Sequence, residues 1–128
     1  MSKRVLITGG AGFIAHHLID HLLKNTDWEI VSLDRLDLSG NLNRLADMLS
    51  EADADTRKRV EVVFHDLKAD ISPLTRNMIG KVDYIYHLAA GSHVDRSIEY
   101  PMEFVMDNVV GTCNVLEYAR PHYPSQIP

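Results

Sequence analysis

The clearest chemical signal in the sequence is a glycine-rich segment between a short apolar run and an amphipathic one. It reads TGGAGFIA over residues 8–15. Such a turn lets a pyrophosphate approach the first backbone N–H groups of a helix and the positive end of its dipole. Gly9 permits the tight turn, Gly12 removes a side chain that would block the phosphate, and Ala15 allows close helix–strand packing. Because it stands between a strand and a helix, we interpret this segment as a dinucleotide-binding loop.

A carboxylate follows at the end of the second apolar run. Asp34 lies about 20 residues beyond the glycine loop, where an acidic residue accepts hydrogen bonds from the adenosine ribose of NAD and repels the 2′-phosphate of NADP. Its neighbour Arg35 favours NADP instead, because an arginine at this place can bind the 2′-phosphate. We predict NAD as the cofactor, with NADP as the weaker alternative.

Two further segments follow predicted strands and reach the same edge of the sheet. Asp66 can accept a hydrogen bond from the adenine amino group while Leu67 packs on the ring, although Asp66 alone also fits a turn or a helix cap. The other segment has small residues that let a cofactor lie against the backbone, followed by a hydroxyl: Ala89, Ala90, Gly91 and Ser92. Ligands of open α/β sheets bind at this carboxyl edge.

These residues require a sheet to position them, and the hydrophobic pattern predicts one. Short apolar runs alternate with amphipathic segments, which is typical of a parallel sheet with crossover helices. We predict an incomplete, doubly wound Rossmann-type α/β fold with helices on both faces, strand order 3-2-1-4, and strand four at an edge. The predicted strands are 4–8, 28–33, 60–64 and 82–88, the predicted helices are 12–24, 38–50, 74–79 and 101–120, and 51–58 is a solvated connection.

Composition restricts the class of protein. The 128 residues form one domain, residues 1–128, and the excess of 18 acidic over 13 basic residues argues against a nucleic-acid-binding surface. No apolar run reaches the roughly 20 residues that span a bilayer. The single cysteine, Cys113, excludes an internal disulfide and suits a reducing compartment. We therefore expect a cytoplasmic protein with no membrane or nucleic-acid partner.

Four stretches together resemble the extended short-chain dehydrogenase/reductase family, and within it the nucleotide-sugar epimerases and dehydratases, with the dTDP-glucose 4,6-dehydratases nearest. The glycine loop is shared by the whole family, whereas SHVDRS and SGNL are more specific. The four stretches are TGGAGFIA, LDRLDLSGNL at 33–42, HLAAGSHVDRS at 87–97 and NVVGTCNVLEYAR at 108–120.

The resemblance implies a set of NAD contacts and a nucleotide-sugar substrate. His93, which follows Ser92, is interpreted as a loop-ordering or substrate-proximal group, and Ser92 is also implied to face the sugar nucleotide. The implied contacts are Phe13 and Ile14 at the pyrophosphate turn, Asp34, Arg35 and Leu36 around the adenosine ribose, Asp66 and Leu67 at adenine, and Leu88, Ala89, Ala90 and Ser92 on the nicotinamide side.

The sequence departs from the family pattern in three positions and in its catalytic groups. Asp107 stands where a threonine is common, Gly91 where a glutamate is usual, and His65 where a glycine often precedes the aspartate. The family uses a Tyr-x-x-x-Lys pair as acid/base, yet none of the five tyrosines has a lysine four residues later. We therefore predict no catalytic residue in these 128 residues and expect the pair, with the substrate domain, in further sequence. A non-catalytic dinucleotide-binding module and one half of a split enzyme are the alternatives.

Two remaining features concern surfaces. His17 and His21 are four residues apart, but they share their helix face with Asp20 and Lys24, so we predict a solvated surface and no metal site. The predicted helix 101–120 is apolar on more than one side, which indicates that a partner covers it. In the family this helix contributes to a dimer interface, and we expect a homo-oligomer.

Overall fold

The computed structural model describes residues 2–35 and 42–121, which form a parallel sheet flanked by helices. Four strands run in the order β3-β2-β1-β4 and every neighbouring pair is parallel. The predicted Rossmann-type order, with strand four at an edge, is confirmed. The strands are β1 (Arg4–Thr8), β2 (Glu29–Asp34), β3 (Val60–Phe64) and β4 (Tyr84–His87).

Seven α-helices are present within the described residues, and they connect or follow the strands. Residues 38–41 of the predicted second helix lie outside the described part of the chain. The helices are α1 (Phe13–Asn25), α2 (Leu42–Ser50), α3 (Ala54–Arg57), α4 (Pro73–Ile79), α5 (Val94–Glu99), α6 (Pro101–Val105) and α7 (Gly111–Ala119), and a π-helical segment, Met106–Val110, joins the last two.

Hydrophobic layers lie on both faces of the two central strands. Successive side chains of β1 point to opposite faces, so Val5 and Ile7 pack with α1 and α2, whereas Leu6 packs with the helices of the other face. All three side chains are fully buried, as expected for the centre of a parallel sheet covered by helices. The edge strands are more open, with Tyr84 and Phe64 exposed.

Two predicted elements are corrected, and one helix is added. The segment 51–58 contains α3, because the Asp53 carboxylate accepts a hydrogen bond from Thr56 N at 2.7 Å and caps a short turn. Helix α5 was not predicted, since its six residues are too few to establish a periodicity. The predicted helix 101–120 begins at Pro101 as expected, but it is interrupted by the π-helical segment. Among the helices of the described residues, none has the length and hydrophobicity needed to cross a bilayer.

The start of α1 lies against β2 through Gly10. A Cβ atom on Gly10 would overlap the Ser32 hydroxyl and lie 2.7 Å from Ser32 Cβ. Ser32 is fully buried, and its Oγ has no hydrogen-bond partner among the described residues. The absence of a side chain at Gly10 therefore lets the glycine turn pack on the sheet beside a buried hydroxyl.

We expect Ser32→Ala to leave the free energy of unfolding unchanged or to raise it by about 1 kcal/mol, because it removes a buried hydroxyl that makes no hydrogen bond. The matched control is Thr8→Val, which removes a buried hydroxyl that accepts from Leu88 N and Ala89 N. It should lower the free energy of unfolding by about 1–3 kcal/mol. Urea unfolding followed by circular dichroism measures both, and equal destabilisation by the two substitutions would contradict this account.

Candidate functional site

A cleft of about 730 Å³ opens at the carboxyl ends of the strands, a volume typical of small-molecule sites. It contains every predicted cofactor- or substrate-proximal residue that the structure describes, and Leu36 lies outside the described residues. The predicted residues that line the cleft are Gly9, Gly12, Phe13, Ile14, Asp34, Arg35, Asp66, Leu67, Leu88, Ala89, Ala90, Ser92 and His93. Four segments distant in sequence thus converge, although the contacts of these residues with a cofactor stay a prediction.

The glycine turn presents bare backbone at the start of α1. Gly9 has a φ of 71°, which favours glycine, and its N–H donates to Leu33 O at 2.8 Å. A Cβ atom there would lie 3.0 Å from Ala89 Cα, so the turn touches the loop after β4. Gly12 is the N-cap of α1 and makes no side-chain cap. The first-turn N–H groups, which have no partner within the helix, are therefore not capped by Gly12.

Asp34 connects the glycine turn to the end of β2. Its side chain is buried, and its Oδ2 accepts a hydrogen bond from Ala11 N at 3.2 Å. The carboxylate also lines the cleft. The hydrogen bond holds it beside the helix N-terminus, where the dipole favours a negative charge.

Arg35 and Asp107 form an ion pair across the adjoining part of the cleft. The two guanidinium nitrogens lie 2.6 and 3.0 Å from the two carboxylate oxygens of Asp107. One of these nitrogens is also 3.9 Å from Asp66 Oδ1. No local pattern in the sequence indicates this pair, because its members are 72 residues apart.

Two departures from the family pattern meet at this ion pair. A Cβ atom on Gly91 would lie 3.6 Å from Asp107 Oδ2 and 2.8 Å from the Phe104 ring. The absence of a side chain at Gly91 therefore leaves room for the Phe104 ring, whereas the Asp107 oxygen is at ordinary contact distance. The backbone of Gly91 is held by the amide of Asn108, with hydrogen bonds of 2.7 and 3.1 Å.

A second network positions the loop after β4. Thr8 Oγ1 accepts hydrogen bonds from Leu88 N and Ala89 N, so its hydroxyl proton is directed to His87 Nδ1 at 2.7 Å. His87 Nε2 then donates to Thr112 Oγ1 at 2.9 Å, since the Thr112 hydroxyl itself donates to a backbone carbonyl. This arrangement requires neutral His87, and burial lowers the pKa of His87 from its ordinary value of 6.5.

Two exposed histidines lie on α1, and two further cations lie in the cleft. His17 and His21 are exposed, and within 2–35 and 42–121 no group of three or more metal-ligating side chains is placed to hold an ion. Arg44 and Lys68 line the cleft but were not predicted. Lys68 follows the predicted site residue Asp66 by two positions, and this closeness in sequence could have suggested it. In the structure its Nζ is 3.5 Å from Asp66 Oδ2. Arg44 lies on α2, and no local pattern in the sequence indicates it.

A parallel sheet in the order 3-2-1-4, with a glycine turn at the start of its first helix and a cleft at its carboxyl edge, defines a Rossmann-type fold. The model of one protein family, GDP-mannose 4,6 dehydratase, matches residues 6–126, and the chain belongs to this family.

Relatives and solved structures agree with this assignment. The dTDP-glucose 4,6-dehydratase of Salmonella typhimurium is 40% identical over 121 residues, which cover 94% of this chain and 32% of the relative. The chain therefore spans about a third of the length of this curated relative.

Two solved structures are similar. The first is DesIV, a dTDP-glucose 4,6-dehydratase from Streptomyces venezuelae with NAD bound, at 37% identity and a TM-score of 0.78, covering 93% of this chain and 36% of that one. The second is UDP-glucose 4-epimerase from Bifidobacterium longum in complex with NAD⁺ and UDP, at 28% identity and a TM-score of 0.77, covering 93% and 34%.

We expect acidification to destabilise the fold through His87. Unfolded His87 takes up a proton near pH 6.5, whereas the folded pKa is lower. Its contribution to stability is therefore present above pH 6.5 and is lost as pH falls towards and through the folded value. Urea unfolding at pH 7.5 and 5.5 should show a larger loss in the wild type than in His87→Gln. Equal losses would show that His87 does not carry this effect.

Proposed function

We propose that this chain forms the NAD-binding part of an enzyme that acts on nucleotide sugars as an epimerase or a dehydratase. The observation that carries the proposal is the start of α1, which Gly12 leaves without a side-chain cap and which opens into a cleft that also contains the Asp34 carboxylate. The relatives named above, a dehydratase and an epimerase whose solved structures contain NAD, support the same reaction class.

The residues of the cleft fit a dinucleotide. A pyrophosphate needs backbone that it can approach closely, and a Cβ atom on Gly12 would lie 3.0 Å from Gly9 O and narrow that space. Phe13 and Ile14 are largely exposed at the same helix start, at 66% and 73%. These apolar groups offer a surface that a bound cofactor would cover.

Each end of the cofactor has its own residues in this proposal. Asp34 accepts from the adenosine ribose, Asp66 and Leu67 hold adenine, and Ala89 and Ala90 let the nicotinamide half lie against the loop after β4. When bound, NAD supplies a hydride acceptor for oxidation of a sugar hydroxyl.

The proposal assigns two residues to the substrate side of the cleft and none to acid/base catalysis. Ser92 and His93 line the cleft beside the proposed nicotinamide position and are proposed to face the nucleotide sugar. No tyrosine in the sequence is followed by a lysine at the fourth position, so the proposal assigns cofactor binding, and no acid/base residue, to these 128 residues.

Gly12→Val should abolish NAD binding, because the branched side chain would occupy the place of the pyrophosphate. The matched control is Ala54→Val, which introduces the same valine side chain at an exposed position of α3, before the amino end of β3. Calorimetric titration of NAD into the wild type and both variants tests the proposal. Affinity like that of the wild type in Gly12→Val, or no binding to the folded wild type, would contradict it.

We also propose that the protein forms a homo-oligomer through the helical region 101–119. Five large apolar side chains of this region are exposed, and four of them follow one another at helical spacing: Met102, Val105, Val109 and Leu116. An apolar stripe of this kind is typical of an interface, and a second copy of the same stripe is a self-complementary partner.

Val109→Lys should shift the oligomer towards monomer, because it places a charge within the stripe. Val94→Lys is the matched control, since Val94 is an exposed valine of α5 outside the stripe. Sedimentation equilibrium of the three proteins measures the effect. A monomeric wild type, or an oligomer that resists Val109→Lys, would contradict the proposed interface.

The proposed location is the cytoplasm. Cys113 is a free, exposed thiol and the sole cysteine of the sequence. Exposed thiols persist in reducing compartments, which supports this location.

A further inference from the structure

Arg35 and Asp107 form the best-defined charged contact of the cleft. Two guanidinium nitrogens meet two carboxylate oxygens at 2.6 and 3.0 Å, which is the bidentate geometry of a strong, charge-assisted pair. The Arg35 side chain is 30% exposed and that of Asp107 is 14% exposed. The contact is therefore better protected from water than an ordinary surface ion pair.

The position of Asp107 is fixed by its surroundings. It lies in the π-helical segment Met106–Val110. The next residue, Asn108, binds both backbone groups of Gly91, and Thr112 donates to Asn108 O at 2.6 Å. These bonds tie the segment to the loop after β4, so the carboxylate is held while Arg35 reaches to it.

Arg35, the other member of the ion pair, lies where the site can distinguish NAD from NADP. Arg35 directly follows Asp34, the residue proposed to bind the adenosine ribose. An arginine at this place can accommodate a 2′-phosphate. If the Arg35 guanidinium turned to such a phosphate, it would give up its two contacts with Asp107. A mostly buried carboxylate would then lose its bidentate partner, which is costly.

We propose that Asp107 is a specificity-determining residue that positions the Arg35 guanidinium away from a 2′-phosphate and so disfavours NADP. The inference rests on the proposed function, since it concerns the selectivity of the same cofactor site. Asp34 repels the 2′-phosphate directly, and Asp107 engages the adjoining cation that would otherwise attract it. Together the two carboxylates set the preference for NAD.

The test is the ratio of Kd for NADP to Kd for NAD, measured by calorimetry. The wild type should bind NAD more tightly than NADP. In Asp107→Asn, which keeps the size of the side chain but removes its charge, the ratio should shift towards NADP by about tenfold, which corresponds to 1.4 kcal/mol. Glu117→Gln is the matched control, because it removes one carboxylate charge from the exposed end of the same helical region and should leave the ratio unchanged.

Two Arg35 variants separate the proposed route from a general change of charge. In Asp107→Asn combined with Arg35→Met, the shift should disappear, because no guanidinium remains to be released. Arg35→Met alone should change the ratio by less than about twofold, because in the wild type the Arg35 guanidinium is bound to Asp107 and does not contact the 2′-phosphate. This single variant tests the idea even where Asp107→Asn fails to fold.

The outcomes distinguish failure of the inference from failure of the proposed function. An unchanged ratio in folded Asp107→Asn overturns the inference while NAD binding leaves the proposed function intact. A shift that persists without Arg35 shows a general field effect and also overturns it, as does a loss of NADP binding relative to NAD of more than about twofold in Arg35→Met alone. A wild type that prefers NADP overturns the inference and the role of Asp34. No binding of either dinucleotide overturns the proposed function and the inference together.

Discussion

The cleft depends on close contact between the backbone of the glycine turn and the ends of the neighbouring strands. Gly9 donates to Leu33 O at the end of β2, and Ala11 donates to the Asp34 carboxylate. Gly10 touches Ser32 so closely that no side chain fits between them. A helix start that lies this near the sheet brings its N–H groups and its positive dipole end to the edge where the other chemical groups are gathered.

The loop after β4 is held by a different kind of contact. Its first two backbone N–H groups donate to Thr8, and His87 links Thr8 to Thr112 on α7. One buried hydroxyl thus connects the end of β1, the loop and the last helix. The network works only while His87 is neutral, which makes the geometry of the small residues in this loop sensitive to protonation.

The fold was predictable because its signals are local. Each strand is a short apolar run, the turn at Gly9 requires a residue that tolerates positive φ, and the charged ends of β2 and β3 stand directly after the runs. The corrected elements lack such signals. Helix α5 is too short to show a period, and the π-helical segment continues the apolar pattern of the helices around it. The Arg35–Asp107 pair needs the tertiary structure, because no sequence rule pairs charges 72 residues apart.

The departures at Gly91 and Asp107 lie next to each other in the structure. Any side chain at 91 would meet the Phe104 ring, and a larger one would reach the space of the Asp107 carboxylate. Conversely, a threonine at 107 has no carboxylate to offer Arg35. A chain with glycine at 91 and aspartate at 107 therefore keeps a negative charge beside this loop and directs it towards the residue after Asp34. The missing side chain at 91 makes room for the Phe104 ring, and the Asp107 carboxylate lies at ordinary contact distance beside it.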